Sequence, residues 1–132
     1  MTVAQSVAFQ GAANAGRLVF LDTGAGNATI EVYGTTRPSA GGAAGGDALV
    51  IAVLAKPCAI VVDGVLELIA DDPTGELILN SGAAVWARFK NGDGTWAFDA
   101  DVSVDGGAGE VQFPNVNLLA GGRAPLSPST IG

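Results

Sequence analysis

Four carboxylates fall close together in the second half of the chain: Asp93, Asp99, Asp101 and Asp105. Carboxylates gathered near turns are what a calcium ion takes as ligands. The spacing does not follow a twelve-residue calcium loop, however, and Asp99 and Asp101 fall on the polar side of an alternating segment. They read as a solvated acidic face. The same two residues could act as a general acid and base, since paired carboxylates hydrolyse glycosides, but same-face acids two apart are ordinary on inert strands. Trp86 and Trp96 flank Asn91-Gly92-Asp93-Gly94, and either indole could stack on a sugar. Trp96 shares its phase with Phe98 and Val102, which places it in the core. Trp86 stands beside Arg88 and Lys90, so it reads either as an exposed interface anchor or as a cap on the far side of a sheet. Tyr33 is a second candidate stacking platform. Cys58, between Pro57 and the apolar run 59–62, reads as a small buried side chain rather than a reactive thiol.

The rest of the composition narrows the chemistry. The chain has 132 residues, one Cys, no His, and 13 acidic against 6 basic residues for a net charge of −7. Lack of histidine excludes Ser–His–Asp and Cys–His catalysis and any His-ligated metal. One cysteine excludes an internal disulfide and a multi-Cys metal site. The acidic balance gives nucleic-acid binding almost no electrostatic basis. The most apolar window, 48–70, is broken by Lys56, Pro57, Asp63, Gly64 and Glu67, so no membrane helix is expected. No cofactor, metal site or catalytic residue is assigned.

The elements that must position these residues follow from periodicity. Over residues 4–22, the spacing of Val7, Phe9, Ala12, Ala13, Leu18, Val19 and Leu21 predicts one amphipathic helix, with Gly11 and Gly16 as its weak points. Beyond Ala28 the period becomes two. Residues 28–33 alternate, as do 85–90 and 96–104, and the last two form a half-exposed hairpin around Asn91-Gly92-Asp93-Gly94. Residues 49–55 form an apolar run expected to be covered on both faces. Asp63-Gly64, between 59–62 and 65–70, is the strongest hairpin signal, because such a turn needs positive φ. Residues 37–47 (RPSAGGAAGGD) read as a flexible Gly/Ala loop, with no Lys-Ser/Thr ending to cradle phosphate. Pro114-Asn115 breaks the phase between Val111/Phe113 and Val116/Leu118, which indicates a bulge or bend. Pro125 and Pro128 bar residues 123–132 from a central strand and make them an extended arm or irregular edge. One domain results: a mainly β, antiparallel β-sandwich of jelly-roll type with one N-terminal helix.

Three stretches also resemble a known family. They are ATIEVYGTTRP (28–38), GAAVWARF (82–89) and NGDGTWAFDADVSV (91–104), preceded by a helix-like segment and followed by Asn115, Asn117 and Gly121-Gly122. Their order is similar to that in a family of small tailed-phage and prophage proteins that run helix, IYTGTRP, Gly/Ala loop, apolar strand, GTATWFR, DGT, DGSV and a closing Gly-rich turn. The likeness spans about residues 8–122. It departs in the helix, which is richer here in Ala and Gly, and in the final strand, where the proline-bearing tail stands. The resemblance implies a non-enzymatic virion structural protein and carries over no catalytic residue. A capsid decoration or cement protein on the major capsid protein is the expectation, with a neck or tail accessory and a carbohydrate-binding module as alternatives. Self-association is expected from the small residues of 49–62 and the glycine-spaced helix. Interface candidates are Tyr33, Trp86, Arg88, Lys90 and the tail residues Arg123, Pro125, Leu126 and Pro128; an extended tail could add a strand to a neighbour.

Overall fold

The structure is a computed structural model that describes residues 5–132. Helix α1, Val7–Leu21, is capped by Ser6, whose hydroxyl accepts from the Phe9 amide at 3.1 Å. The helix therefore lies within the expected 4–22, of which residue 4 falls outside the described residues. Eleven strands follow: β1 Thr29–Tyr33, β2 Val50–Val62, β3 Val65–Ala70, β4 Glu76–Leu77, β5 Gly82–Ala83, β6 Trp86–Lys90, β7 Trp96–Val104, β8 Val111–Phe113, β9 Asn117–Leu118, β10 Arg123–Ala124 and β11 Thr130–Ile131. Seven of them form one sheet in the order β11-β3-β2-β1-β6-β7-β8, and β10-β4 and β5-β9 form two small ladders. The expected mainly β class, a sandwich- or barrel-like shell with a single helix, is present.

Sheet pairing follows the turn chemistry. Asp63 (φ 50°) and Gly64 (φ 83°) make the tight turn that pairs Val62 with Val65. The apolar run 49–55 and the run 59–62 are not separate strands; both belong to β2. Four residues, 55–58, stand between its paired positions Leu54 and Ala59, which face Ala70 and Leu68. Nor is the first run covered on both faces: Val50, Ala52 and Leu54 are buried while Ile51 is exposed. Ile30, Val32, Leu54, Leu66, Phe89, Val111 and Phe113 fill the core.

Two departures concern how the sheet ends. Strand β8 runs parallel to β7, pairing Val102 with Val111 and Val104 with Phe113 across only the six residues 105–110. Parallel neighbours ordinarily need a crossover of about a dozen residues. Here Gly109 lets the chain fold flat on β7, since a Cβ there would lie 2.7 Å from the Ser103 nitrogen. The C-terminal segment then closes the shell. The Ser127 amide donates to the Gln112 carbonyl of β8 at 2.9 Å, the Gln112 amide to the Ser129 hydroxyl at 2.9 Å, and the Leu68 amide of β3 to the Ser129 carbonyl at 3.0 Å. Residues 123–132 are extended, but they are not a free arm. The two prolines alternate with the residues that bond, so the segment serves as an irregular strap within its own sheet.

Helix α1 packs on β2 and β3 by only part of the apolar stripe expected of it, Leu18 and Leu21. The half-buried or buried positions are Gln10, Gly11, Asn14, Leu18 and Leu21, a helical-period stripe that is polar or small over its first half. Asn14 is fully buried; its amide nitrogen donates to the Gly64 carbonyl and its oxygen accepts from Arg17 at 2.7 Å. Val7, Phe9, Val19 and Phe20 remain exposed.

Candidate functional site

The cross-strand register sets side by side the polar residues singled out from the sequence. On the outer face of β1, β6 and β7, Glu31 stands opposite Arg88 and Arg88 opposite Asp99; Tyr33 stands opposite Trp86 and Trp86 opposite Asp101. Alternating charges across three strands give one row of acid, base and acid. Arg88 grips Asp99 with two bonds, Nε to Oδ1 at 2.8 Å and Nη2 to Oδ2 at 3.2 Å. Lys90 reaches Glu31 at 2.9 Å, and the other Glu31 oxygen accepts from the Tyr33 hydroxyl at 2.8 Å. Tyr33 stacks on Trp86 with ring centres 4.7 Å apart, and the Arg88 guanidinium lies over Trp86 at 5.1 Å.

The Gly/Ala loop 37–47 covers this face instead of moving freely above it. It is held by its main chain at Gly41, Gly42 and Ala44 and by the side chain of Arg37. The Thr35 hydroxyl donates to the Ala44 carbonyl at 2.7 Å and accepts from the Trp86 indole at 3.1 Å. Arg88 donates to the Gly42 carbonyl at 2.7 Å, and the Gly41 amide donates to Asp99 at 3.2 Å. Arg37 pairs with Asp101 at 2.8 Å and donates to the Asp99 carbonyl at 3.1 Å. Glycine is needed at 41 because its φ is +73° and a Cβ would come within 3.3 Å of the Trp96 ring. The loop looks unstructured in sequence because its bonds are made by its main chain.

Several expectations are corrected by this arrangement. Trp86 is fully buried, so it caps the sheet and offers no exposed anchor. Trp96, placed in the core by its phase, is 41% exposed. A bulge explains the position of Trp96: Phe89 faces Phe98 and Lys90 faces Trp96, leaving Ala97 as an extra residue that carries Trp96 to the outer side. Phe98 remains on the core side, stacked on Phe89 at 4.3 Å. Asp99 does not belong to a solvated acidic face, since its side chain is 2% exposed. Nor do the four acids converge; no group of three or more metal-ligating side chains occurs among the described residues.

Electrostatics follow from these partners. Burial is the largest influence on Asp99 and raises its pKa. The hydrogen bonds from Arg88, Trp96 and Gly41 together with the Arg88 charge outweigh it, and the carboxyl lies below the usual range. Burial, then the bond to Glu31 and its charge, push the Tyr33 phenol up to about 12. Cys58 is fully buried, with its amide donating to Asp22 at 3.0 Å; burial, then the Asp22 charge, raise its thiol to about 12. A thiol that stays protonated is inert. Asp99 and Asp101 are both held in ion pairs, with Arg88 and Arg37 respectively.

The tail candidates lie elsewhere. Arg123 donates to the Gly75 carbonyl at 3.0 Å. With Pro125 it lines a groove of about 260 Å³ beside Ile78, Pro114, Leu118 and Leu119. Leu126 and Pro128 line a second groove, of about 400 Å³, against Leu68, Pro73 and Ser129 of the closing strap. Exposed Leu77, Leu79 and Leu119 surround the small ladders. Sequence reasoning did not single out these leucines, nor Glu31 and Thr35 as partners in the covered face. The register of three strands identifies Glu31, whereas Thr35 carries no sequence signal for its role.

Comparison with known proteins adds no relative. No protein-family model matches the chain, and searches of curated proteins and of solved structures return no match. No helix among the described residues is long and apolar enough to cross a membrane.

Proposed function

We propose that the chain is a non-enzymatic structural component of a tailed-phage particle, foremost a decoration or cement protein bound to the major capsid protein in the virion. The observation that carries the non-enzymatic part is the full internal commitment of the Tyr33, Trp86, Arg88 and Asp99 cluster. The Asp99 carboxylate accepts from Arg88, Trp96 and the Gly41 amide, and Arg88 reaches onward to Gly42. These groups hold a loop down on a sheet. The phage part rests on the resemblance of residues 28–38, 82–89 and 91–104 to small virion proteins. A carbohydrate-binding module is not favoured, because Trp86 and Tyr33 are buried and Trp96 lies against Gly41.

The closed strap changes how attachment would work. Residues 127–131 bond β8 and β3 of their own chain, so this segment is not free to be donated to a neighbour. Attachment would use a preformed surface instead, and the groove that Leu119 lines with Arg123 and Pro125 keeps two of the candidate residues in it. Quantitative mass spectrometry of purified virions tests the reading. A copy number near that of the major capsid protein supports cement. A number far below it assigns the chain to the neck or tail, and absence from the virion overturns the proposal.

A further inference from the structure

The outer face of α1 is apolar and carries no partner among the described residues. Phe9 is 65% exposed, Phe20 43% and Val19 70%, and nothing lies within 4 Å of a Cβ placed on Gly16. At 3.6 residues per turn, Phe9, Ala13, Gly16 and Phe20 fall within an arc of about 60°. Their order is large, small, small, large, and their spacings of four, three and four residues read the same in both directions. A stripe with that symmetry complements itself when two copies run antiparallel. Phe9 of one then meets Phe20 of the other, and Ala13 meets Gly16.

We propose that this face is a two-fold, antiparallel helix–helix contact between two copies of the chain. An isologous interface requires one surface to fit itself, and this stripe meets that condition. The small waist permits helix axes to approach to about 8 Å. Charge selects the same face. The chain carries −7 overall, and α1 holds no acidic residue. Its only charged residue, Arg17, is turned to Asn14 and the Gly132 carbonyl. Two copies can therefore meet here without bringing carboxylates together, whereas most other approaches oppose like charges. The register also brings the partner's phenyl ring to a cavity of about 450 Å³ that Phe20 lines with Leu21, Ala97, Phe98 and Ile131. The exposed apolar side chains would bury on the order of 800 Å² in a pair, below the about 1,200 Å² of a stable complex, so the dimer is weak in solution. The inference does not depend on the phage reading; virion mass spectrometry tests that reading, and the purified chain tests this one.

Single cysteines read the geometry, because native Cys58 is buried and stays protonated. Across the two-fold, two copies of residue 16 are offset by about 4.5 Å along the axis, and two copies of residue 9, or of residue 20, by about 16 Å. Under mild oxidation Gly16→Cys is expected to form a covalent dimer, since disulfides need Cα atoms about 4.4–6.8 Å apart. Phe9→Cys alone and Phe20→Cys alone are expected to stay monomeric, and an equimolar mixture of the two to give the mixed dimer. Circular dichroism checks that each variant is folded. Sedimentation of the unmodified full chain is expected to show concentration-dependent dimer, weakened at least about tenfold by Phe20→Glu. Crosslinking of Phe9→Cys with itself would overturn the antiparallel arrangement. No crosslink from any variant, with a monomer at every concentration, would overturn the contact and leave the face to a different partner.

Discussion

The covered face of β1, β6 and β7 and the outer face of α1 reverse the usual disposition of side chains. On the sheet, a tyrosine and a tryptophan are buried and the side chains of an arginine and an aspartate nearly so, under a loop of glycine and alanine. On the helix, two phenylalanines and a valine face outward while an asparagine is buried beneath them. What separates the two is the availability of partners. Every polar group of the sheet cluster finds one at hydrogen-bond distance, so its burial is tolerated. The helix instead docks through Leu18, Leu21 and one buried amide, which leaves its phenylalanines free for a contact outside the monomer. Polarity alone does not decide burial here; pairing does.

The sharpest way to break the comparison is Asp99→Ala. Removing one partner strands the Arg88 charge, 12% exposed, and is expected to destabilise by about 3–5 kcal/mol. Thermal unfolding should show the midpoint fall by roughly 10–20 °C. A change near zero would mean that the loop contributes nothing to burying the pair. Next in size, Asn14→Ala leaves the Gly64 carbonyl without its donor and is expected to cost about 1–3 kcal/mol in urea unfolding. If α1 were held by Leu18 and Leu21 alone, that variant would be silent.

Acid gives a smaller effect with a defined sign. The folded pKa of Asp99 is depressed, so its stabilisation is complete above the unfolded value of about 3.9 and is lost as pH falls through the folded one. Proteolysis within residues 37–47 should accelerate below that value, and in Asp99→Ala the acid dependence should largely disappear. A loop equally protected at low pH would show that Asp99 does not hold it. The least effect on the fold is expected from Phe9→Ser, within about 0.5 kcal/mol of the parent by urea unfolding. A larger loss would show that the helix face is already occupied within the monomer.

Much of the sheet was legible because a strand declares itself by alternation. The Asp63-Gly64 turn and the β6–β7 hairpin both follow from it. What alternation cannot carry is an insertion of one residue, and Ala97 is such an insertion; it carries Trp96 from the expected core side to the outer face that Trp86 also occupies. The helix was visible for a similar reason, and its docking face was misread for a related one. Apolar spacing points to Val7, Phe9, Leu18, Val19 and Leu21; Leu18 and Leu21 do pack on the core, but the first half of the contact is made by Gln10, Gly11 and Asn14, whose short or hydrogen-bonding side chains fit against the β2–β3 turn. The loop and the tail were hardest to read. Both are held by main-chain groups, at Gly41, Gly42, Ser127 and Ser129, and a sequence of side chains does not display those bonds.

The strap at residues 127–131 also sets a schedule for synthesis. Until it arrives, the amides of Leu68 in β3 and Gln112 in β8 have no partners, and the growing chain presents two sticky edges at the ribosome. Pairing Ile131 with Leu66 closes a loop of more than sixty residues, so completion is late and slow compared with the hairpins. A nascent chain is thereby kept from closing this shell until residues 127–131 have been made.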